Sequence, residues 1–390
     1  MVERLPSVVP VVLVCLDFGD PLKAEGIAEA RELVSSAGGT VVTVVEGKRD
    51  RPDAATFAGS GKVEELKQAV IQAESKMVVF NHQLSAAQIR NLEKALATPE
   101  LTVRVLDRTD LILEIFALRA RSHEGKLQVE LARLQHLSTR LVRGWTHLER
   151  QQGGQGLRGG PGEKQIELDR RMIADRMKLL KDRLKKVGRQ RDTQRAGRSR
   201  SGVLRVAIVG YTNAGKSTLF NKLARATTLV ADKLFATLDT TTRRAWMQDA
   251  AGGIEVTLSD TVGFIRDLPH GLVAAFRATL DEATDADLLL HVVDAANAMR
   301  ERQVEDVQAV LAEIGAERVP QVLVMNKIDL TADPEPRVER DEYGKISSIR
   351  LSAVSGAGIA QLRECLAEIA RAAKARGGSG QAVPAALAAN

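Results

Sequence analysis

Eight residues constrain this chain more than any others. Gly210-Tyr211-Thr212-Asn213-Ala214-Gly215-Lys216-Ser217 match the spacing G-x-x-x-x-G-K-[ST]. An apolar, β-branched run at residues 203–209 leads into them, and an amphipathic helix pattern at 218–226 follows directly. A strand that passes through a glycine turn into a helix N-terminus aims successive backbone N–H groups, and the positive end of the helix dipole, at one spot. That arrangement suits phosphate oxygens. Lys216 is placed to reach the β- and γ-phosphates, and the Ser217 hydroxyl to ligate Mg²⁺. The expected fold is therefore α/β, a P-loop domain built on a doubly wound, mostly parallel sheet.

Three later motifs complete the site, and two of them specify the base. Asn326-Lys327-Ile328-Asp329 follows a buried-strand pattern at 321–325. A carboxylate in the base plane accepts from both the N1–H and the 2-amino group of guanine, whereas adenine offers neither donor there, so Asp329 reads guanine. Ser352-Ala353-Val354 closes a strand pattern at 346–351, and the Ala353 N–H is expected to meet the guanine O6. Asp260-Thr261-Val262-Gly263 closes the pattern at 254–259. Asp260 suits the Walker-B position beneath Mg²⁺, behind its direct ligands, and the Gly263 N–H suits the γ-phosphate. Each tetrapeptide is weak alone; four in order, each at a strand end, describe a site for GTP and GDP. Phe264 stands where a glutamine would orient the attacking water, so unaided hydrolysis should be slow.

Leu234-Phe235-Ala236-Thr237-Leu238-Asp239, followed by Thr240-Thr241-Thr242-Arg243, resembles the switch I segment of the HflX family, within the Obg-like translation-factor GTPases. Composition alone does not choose a metal ligand among Thr237, Thr240, Thr241 and Thr242. The resemblance implies Thr237, with Phe235, Ala236, Leu238 and Asp239 closing over the nucleotide. It makes Lys216, Thr237 and Gly263 the residues that act on the γ-phosphate. It extends through Gly159-Gly160-Pro161-Gly162-Glu163, Glu167-Leu168-Asp169-Arg170-Arg171 and Gly59-Ser60-Gly61-Lys62, covering roughly residues 8–370. Members of the family associate with the ribosome through the large subunit and its rRNA, and some split stalled ribosomes. The resemblance thus implies a monomeric, cytoplasmic GTPase stimulated by ribosomes, with peripheral association elsewhere left open. Some members carry a further C-terminal domain, which is not expected here after the helix pattern at 359–375.

Charge placement agrees. The net charge is +6, but residues 121–200 alone carry 21 Lys plus Arg against 9 Asp plus Glu, a net of +12, which leaves −6 for the rest. A one-sided basic stretch is the footprint of phosphate-backbone contact, although long solvated helices are also rich in charge. Within it Leu127, Leu134, Leu141 and Leu148 recur every seven residues, as do Leu131 and Trp145, with Ser138 the polar exception. Ile166, Ile173, Leu180 and Val187 repeat the period, joined by Met177 and Leu184. Two heptad seams predict an antiparallel helical hairpin. Its glycine-rich tip, residues 151–162 with Arg158, would stand roughly 40 Å from the helix bases.

Residues 1–110 alternate strand and helix patterns and predict a small βαβ domain: strands at 8–16, 40–45, 77–80 and 101–106, helices at 23–36, 62–73 and 86–96. Domain boundaries are expected near 110 and 198, with the GTP domain at 199–372 and a disordered tail at 373–390. Within the GTP domain, residues 249–253 signal a hairpin that supplies an antiparallel edge. Gly59-Ser60-Gly61-Lys62 lacks the hydroxyl residue of a phosphate loop and is at best a weak anion site. Cys15 and Cys365 read as reduced thiols in or near cores. His82, His123, His136, His147, His270 and His291 show no metal-site spacing, and no apolar run reaches membrane-span length. Besides a ribosome-associated GTPase, two readings stand: a GTP-gated RNA-binding assembly module with little turnover, and an RNA-remodelling enzyme using ATP at residues 59–62.

Overall fold

The computed structural model describes residues 9–19, 23–143, 161–199, 202–224, 234–235, 237–266 and 277–377. They form two compact units, one from residues 1–118 and 126–182, the other from 119–125 and 183–390.

In the first unit, a four-stranded parallel sheet has the order β2-β1-β3-β4, with β1 Val9–Asp17, β2 Gly39–Lys48, β3 Met77–Phe80 and β4 Arg104–Leu106. β1 lies inside the sheet, which is why it reads as a continuous apolar run, whereas the edge strand β2 alternates half-buried and exposed positions. Helices α1 Lys23–Ser36, α2 Ser60–Gln72 and α3 Ala86–Leu96 connect the strands. Val12, Val14, Leu66, Val70, Val78, Phe80, Leu92 and Leu96 form a core between sheet and helices. α3 starts with a reciprocal cap: the Ser85 hydroxyl accepts from the Gln88 N–H, and the Gln88 side chain accepts from the Ser85 N–H.

An additional helix, α4 Arg108–Arg119, stands where the sequence pattern suggested the start of the hairpin. Leu111, Ile112, Leu113, Ile115 and Phe116 are all buried, and beside them Asp110 and Glu114 make a polar stripe too short to betray the period. On α5, His123–Arg143, the Arg140 guanidinium pairs with Asp107 and Asp110, and His136 lies 3.3 Å from Asp110. The three residues Asp107, Asp110 and His136 have a metal-like grouping, but the guanidinium already supplies the cation.

α6 spans Pro161–Ser199, longer at both ends than the heptad pattern and including two residues expected in the glycine loop. Along it Leu180 is buried and Ile173, Met177, Leu184 and Val187 are half-buried, while Leu168, Met172 and Leu179 are exposed. The five covered positions are those of the heptad seam. Arg176 of α6 donates twice to Glu130 of α5. Residues 151–160 of the expected tip, with Arg158, lie outside the described residues, as do Trp145 and Leu148.

The second unit holds a seven-stranded sheet in the order β10-β11-β9-β8-β5-β7-β6. β5 Leu204–Gly210, β7 Gly252–Asp260, β8 Leu288–Asp294, β9 Gln321–Asn326 and β11 Ile346–Arg350 are parallel. β6 Thr241–Asp249 and β10 Arg337–Arg340 pair antiparallel at the two edges. The β6–β7 hairpin is the one signalled by residues 249–253; its turn is Ala250-Ala251, and Gly252 takes φ +112°. Helices α7 Lys216–Ala224, α8 Arg277–Thr284, α9 Arg300–Ile314 and α10 Ile359–Gly377 complete the unit. α10 runs into the stretch expected to be tail; residues 378–390 lie outside the described residues. Cys15 and Cys365 are both buried and form no disulfide, one in each unit. No helix among the described residues is long and apolar enough to cross a membrane.

Candidate GTP site

Strand order reverses around β5: β7 lies on one side and β8 on the other. Ligands of open α/β sheets bind at such a point, beyond the strand C-termini. β5 ends at Gly210, β7 at Asp260, β8 at Asp294 and β9 at Asn326, so the sheet itself gathers the sequence motifs along one edge.

The loop after β5 needs its glycines for stated reasons. At Gly210, φ is +146° and an added Cβ would lie 2.2 Å from the Val292 carbonyl oxygen. At Gly215, φ is +92° and a Cβ would lie 2.2 Å from the Asn326 amide nitrogen. Asn213 also adopts a left-handed conformation, with φ +61°. Thr212 and Ala214 are buried, and Lys216 and Ser217 open α7. The Lys216 ammonium is buried and donates to the Tyr211 carbonyl at 2.6 Å. Burial lowers its pKa to about 8, against the opposing pull of Asp260.

Three oxygens converge beside it. The Ser217 hydroxyl donates to Asp260 at 2.7 Å and lies 2.7 Å from the Thr237 hydroxyl, which donates to the same carboxylate oxygen at 3.0 Å. The other Asp260 oxygen, Oδ1, is buried and has no hydrogen-bond partner. Burial raises the Asp260 pKa, while the Ser217 hydroxyl, the Lys216 ammonium and the Thr237 hydroxyl oppose the shift. Two hydroxyls and a carboxylate, one of whose oxygens is orphaned, form a hard-oxygen donor set that fits Mg²⁺. Among the four threonines, geometry brings Thr237 to this point. Leu234, Phe235 and Leu238 of the same segment are buried, and Ala236 lies outside the described residues.

The DxxG segment is laced to the loop. Thr212 N–H donates to the Phe264 carbonyl at 2.6 Å, Phe264 N–H donates to the Gly210 carbonyl at 3.1 Å, and Arg266 N–H donates to the Tyr211 hydroxyl at 2.7 Å. A Cβ on Gly263 would lie 2.8 Å from Thr212 Cγ2 and 2.9 Å from Lys216 Nζ, so a side chain there would press on the loop. The Thr261 hydroxyl donates to the Ile208 carbonyl at 2.8 Å and Val262 is buried. Phe264 is itself buried, so its ring packs.

The base-side motifs meet through Asn326. Its amide nitrogen donates to the Ala214 carbonyl at 2.8 Å, and its oxygen accepts from Ala353 N–H at 2.9 Å. The Ala353 N–H, expected to face guanine, is thus held by Asn326 here. Lys327 takes a left-handed conformation and pairs with Asp294 at 2.8 Å. Asp329 is exposed in the short 3-10 turn Ile328–Leu330; Ser352 is buried, and Val354 is exposed. Asp294 was not apparent from sequence; its place at a strand C-terminus, one strand from β9, was the available signal. Elsewhere, the Lys62 ammonium donates to the Glu46 carbonyl at 2.7 Å and to Glu65 at 2.6 Å, and so is turned onto its own fold. That geometry gives no support to an ATP site at residues 59–62.

Comparison with known proteins agrees in order along the chain. Residues 24–117 match the family described as GTP-binding GTPase N-terminal, 119–198 its middle region, and 205–327 the 50S ribosome-binding GTPase family. GTPase HflX of Escherichia coli K12 is 52% identical over 368 residues, 94% of this chain and 84% of that protein. GTPase HflX of Magnetococcus marinus is 52% identical over 318 residues, 82% of this chain and 71% of that protein. The solved complex of SsGBP with GDP covers 94% of this chain and 99% of its own, with TM-score 0.52 and 24% identity, a likeness of fold. With half its residues shared over nearly its full length, the chain belongs to the HflX GTPase family.

Proposed function

We propose that this protein is a Mg²⁺-dependent GTP switch that acts on the ribosome through the large subunit, with hydrolysis slow until the ribosome is engaged. The observation that carries the reading is the convergence of Ser217, Thr237 and Asp260 beside a buried lysine at the topological switch point. Lys216 and the loop N–H groups neutralise and orient the β- and γ-phosphates. Ser217 and Thr237 would hold the metal, with Asp260 behind them, and bound Mg²⁺ would supply charge neutralisation at the phosphate oxygens. The Thr237 hydroxyl belongs to a switch motif, so its arrival in the site distinguishes the GTP from the GDP state. Gly263 presents its N–H to the γ-phosphate, and Asp329 holds the guanine edge. Buried Phe264 offers no hydrogen bond to an attacking water, which leaves its orientation to a group supplied in the complex. The basic middle region, residues 119–198, contacts rRNA, consistent with its charge and with the ribosome-binding description of the matched GTPase family.

The test is GTP hydrolysis with and without purified large subunits, at varied Mg²⁺, together with sedimentation in GTP-analogue and GDP forms. Stimulation by large subunits and preferential co-sedimentation of the GTP-analogue form are expected. Equal turnover with and without subunits, together with RNA binding that nucleotide gates, would favour the assembly-module reading instead.

A further inference from the structure

Asp239, one of the residues expected to close over the nucleotide, has its carboxylate held instead on the first turn of α5, tying switch I to that helix. Asp239 lies two residues beyond Thr237, with buried Leu238 between them. One of its carboxylate oxygens accepts from Arg121 N–H and from Ser122 N–H, each at 2.8 Å, and the other accepts from the Ser122 hydroxyl. The partners are 117 and 118 residues away in sequence. The same Ser122 hydroxyl accepts from Gly125 N–H at 2.8 Å, the bond expected of a residue capping α5. Gly125 has a second reason to be glycine: a Cβ there would lie 2.3 Å from the Asp239 Oδ1. Residues 119–125 belong to the compact unit of the GTP site, and α5 continues from Lys126 as part of the other unit.

We propose that Asp239 is a positioning residue, docking switch I on the Ser122 cap of α5 so that seating Thr237 and ordering the first turn of α5 are one event. The proposal rests on the reading of Thr237 as the γ-phosphate-dependent metal ligand. A carboxylate at a helix N-terminus meets unsatisfied N–H groups and the positive end of the dipole, so the docked state is electrostatically favoured. By linkage the coupling is reciprocal: whatever favours Thr237 in the site favours the capped start of α5, and whatever disturbs that start releases Thr237. The helix that enters the basic middle region thereby receives the nucleotide state directly.

Gly125→Ala separates this role from a structural one. Alanine favours helix over glycine, so a purely structural first turn should tolerate or welcome the change. If Asp239 docks there, the new methyl group displaces it. The experiment uses the full-length protein and measures affinity for a non-hydrolysable GTP analogue and for GDP with saturating Mg²⁺. Wild type, Gly125→Ala, Asp239→Ala, Asp239→Asn and Thr237→Ala are compared, with GDP affinity reporting that each is folded. Gly125→Ala and Asp239→Ala should each lose about tenfold in the ratio of GTP-analogue to GDP affinity. Asp239→Asn should fall between them and wild type, because its amide oxygen still accepts both N–H groups but carries no charge. Hydrogen exchange at residues 123–128 should be slower with the GTP analogue than with GDP in wild type, and independent of nucleotide in Asp239→Ala. An unchanged ratio in both Gly125→Ala and Asp239→Ala, while Thr237→Ala still lowers it, overturns the docking role and leaves the site reading standing. An unchanged ratio in Thr237→Ala overturns the site reading itself.

Discussion

Replacing Asn326 by alanine should loosen two loops at once. Its side chain holds the Ala214 carbonyl in the phosphate loop and the Ala353 N–H in the loop after β11, at 2.8 and 2.9 Å. Asn326, Ala214 and Ala353 are each no more than 2% exposed, so neither backbone group has ready access to water. An orphaned buried donor or acceptor costs about 1–3 kcal/mol. Two of them give about 2–6 kcal/mol, and partial entry of water into the space left by the amide brings the expectation to about 3 kcal/mol. Asn326→Asp should be at least as damaging, because it keeps the acceptor for Ala353 but sets a carboxylate oxygen against the Ala214 carbonyl.

The measurement is urea unfolding of the nucleotide-free protein in a Trp145→Phe background, which leaves Trp246 on β6 as the sole tryptophan and so reports on the GTP-site unit. A lower midpoint at unchanged slope gives the stability change directly. Hydrogen exchange should rise in the phosphate loop and in residues 351–357 together. A loss below about 0.5 kcal/mol, within the range of ordinary surface substitutions, or opening of one loop without the other, would refute the reasoning that Asn326 bridges them.

Asp329→Asn should weaken GTP binding by about a hundredfold, the worth of a charge-assisted hydrogen bond, and improve binding of xanthosine triphosphate, which calorimetry with both nucleotides checks. His291 is buried on β8 and its pKa is lowered to about 4, chiefly by burial with Lys216 adding to it. The unfolded chain therefore binds the proton first: the stability is whole above pH 6.5 and is lost as pH falls from there toward 4, by about 3 kcal/mol in total. Denaturation midpoints between pH 7.5 and 5 should fall less steeply in His291→Leu than in wild type. Gly210→Ala should cost more than about 2 kcal/mol and abolish nucleotide binding, since its methyl group meets the Val292 main chain at a left-handed φ; binding of a fluorescent GDP analogue at wild-type affinity would contradict this. Large-subunit binding by the basic middle region should fall steeply with salt. Charge-removing substitutions at the exposed Lys181 and Lys185 should each reduce the log–log slope by about one wherever the lysine neutralises a phosphate.

What could be read in the sequence, and what could not, divides along a physical line. The phosphate loop was legible because its ligand dictates its chemistry locally: Gly210 and Gly215 carry the positive φ values that the turn demands, and strand and helix patterns flank them. The α6 seam was legible because its environment is one-sided, so Ile173, Met177, Leu180, Leu184 and Val187 alone record the period. α4 was hidden for the opposite reason: apolar residues dominate its centre, and Asp110 and Glu114 alone are too short a polar stripe to set a phase. Edge strand β10 is only four residues long and mostly exposed, leaving alternation almost nothing to act on.

The same line runs through the site. Residues proposed to touch a ligand are constrained by what that ligand offers, so Lys216, Ser217 and Asp329 announce themselves by type and spacing. Residues that hold those residues in place are constrained by whatever the fold brings near. Asn326 was conspicuous as part of a motif, yet its bonds to Ala214 and Ala353 follow from β5, β9 and β11 ending along one edge of the sheet. Asp239 belonged to a recognisable switch segment, but nothing in its neighbours pointed 117 residues back to Ser122. Gly125 is plainer still. In sequence it is a poor helix former in the first turn of α5, a local liability, and only the carboxylate that a Cβ would strike makes it intelligible. A residue that breaks a local rule inside a regular element therefore marks where distant parts of this chain must touch.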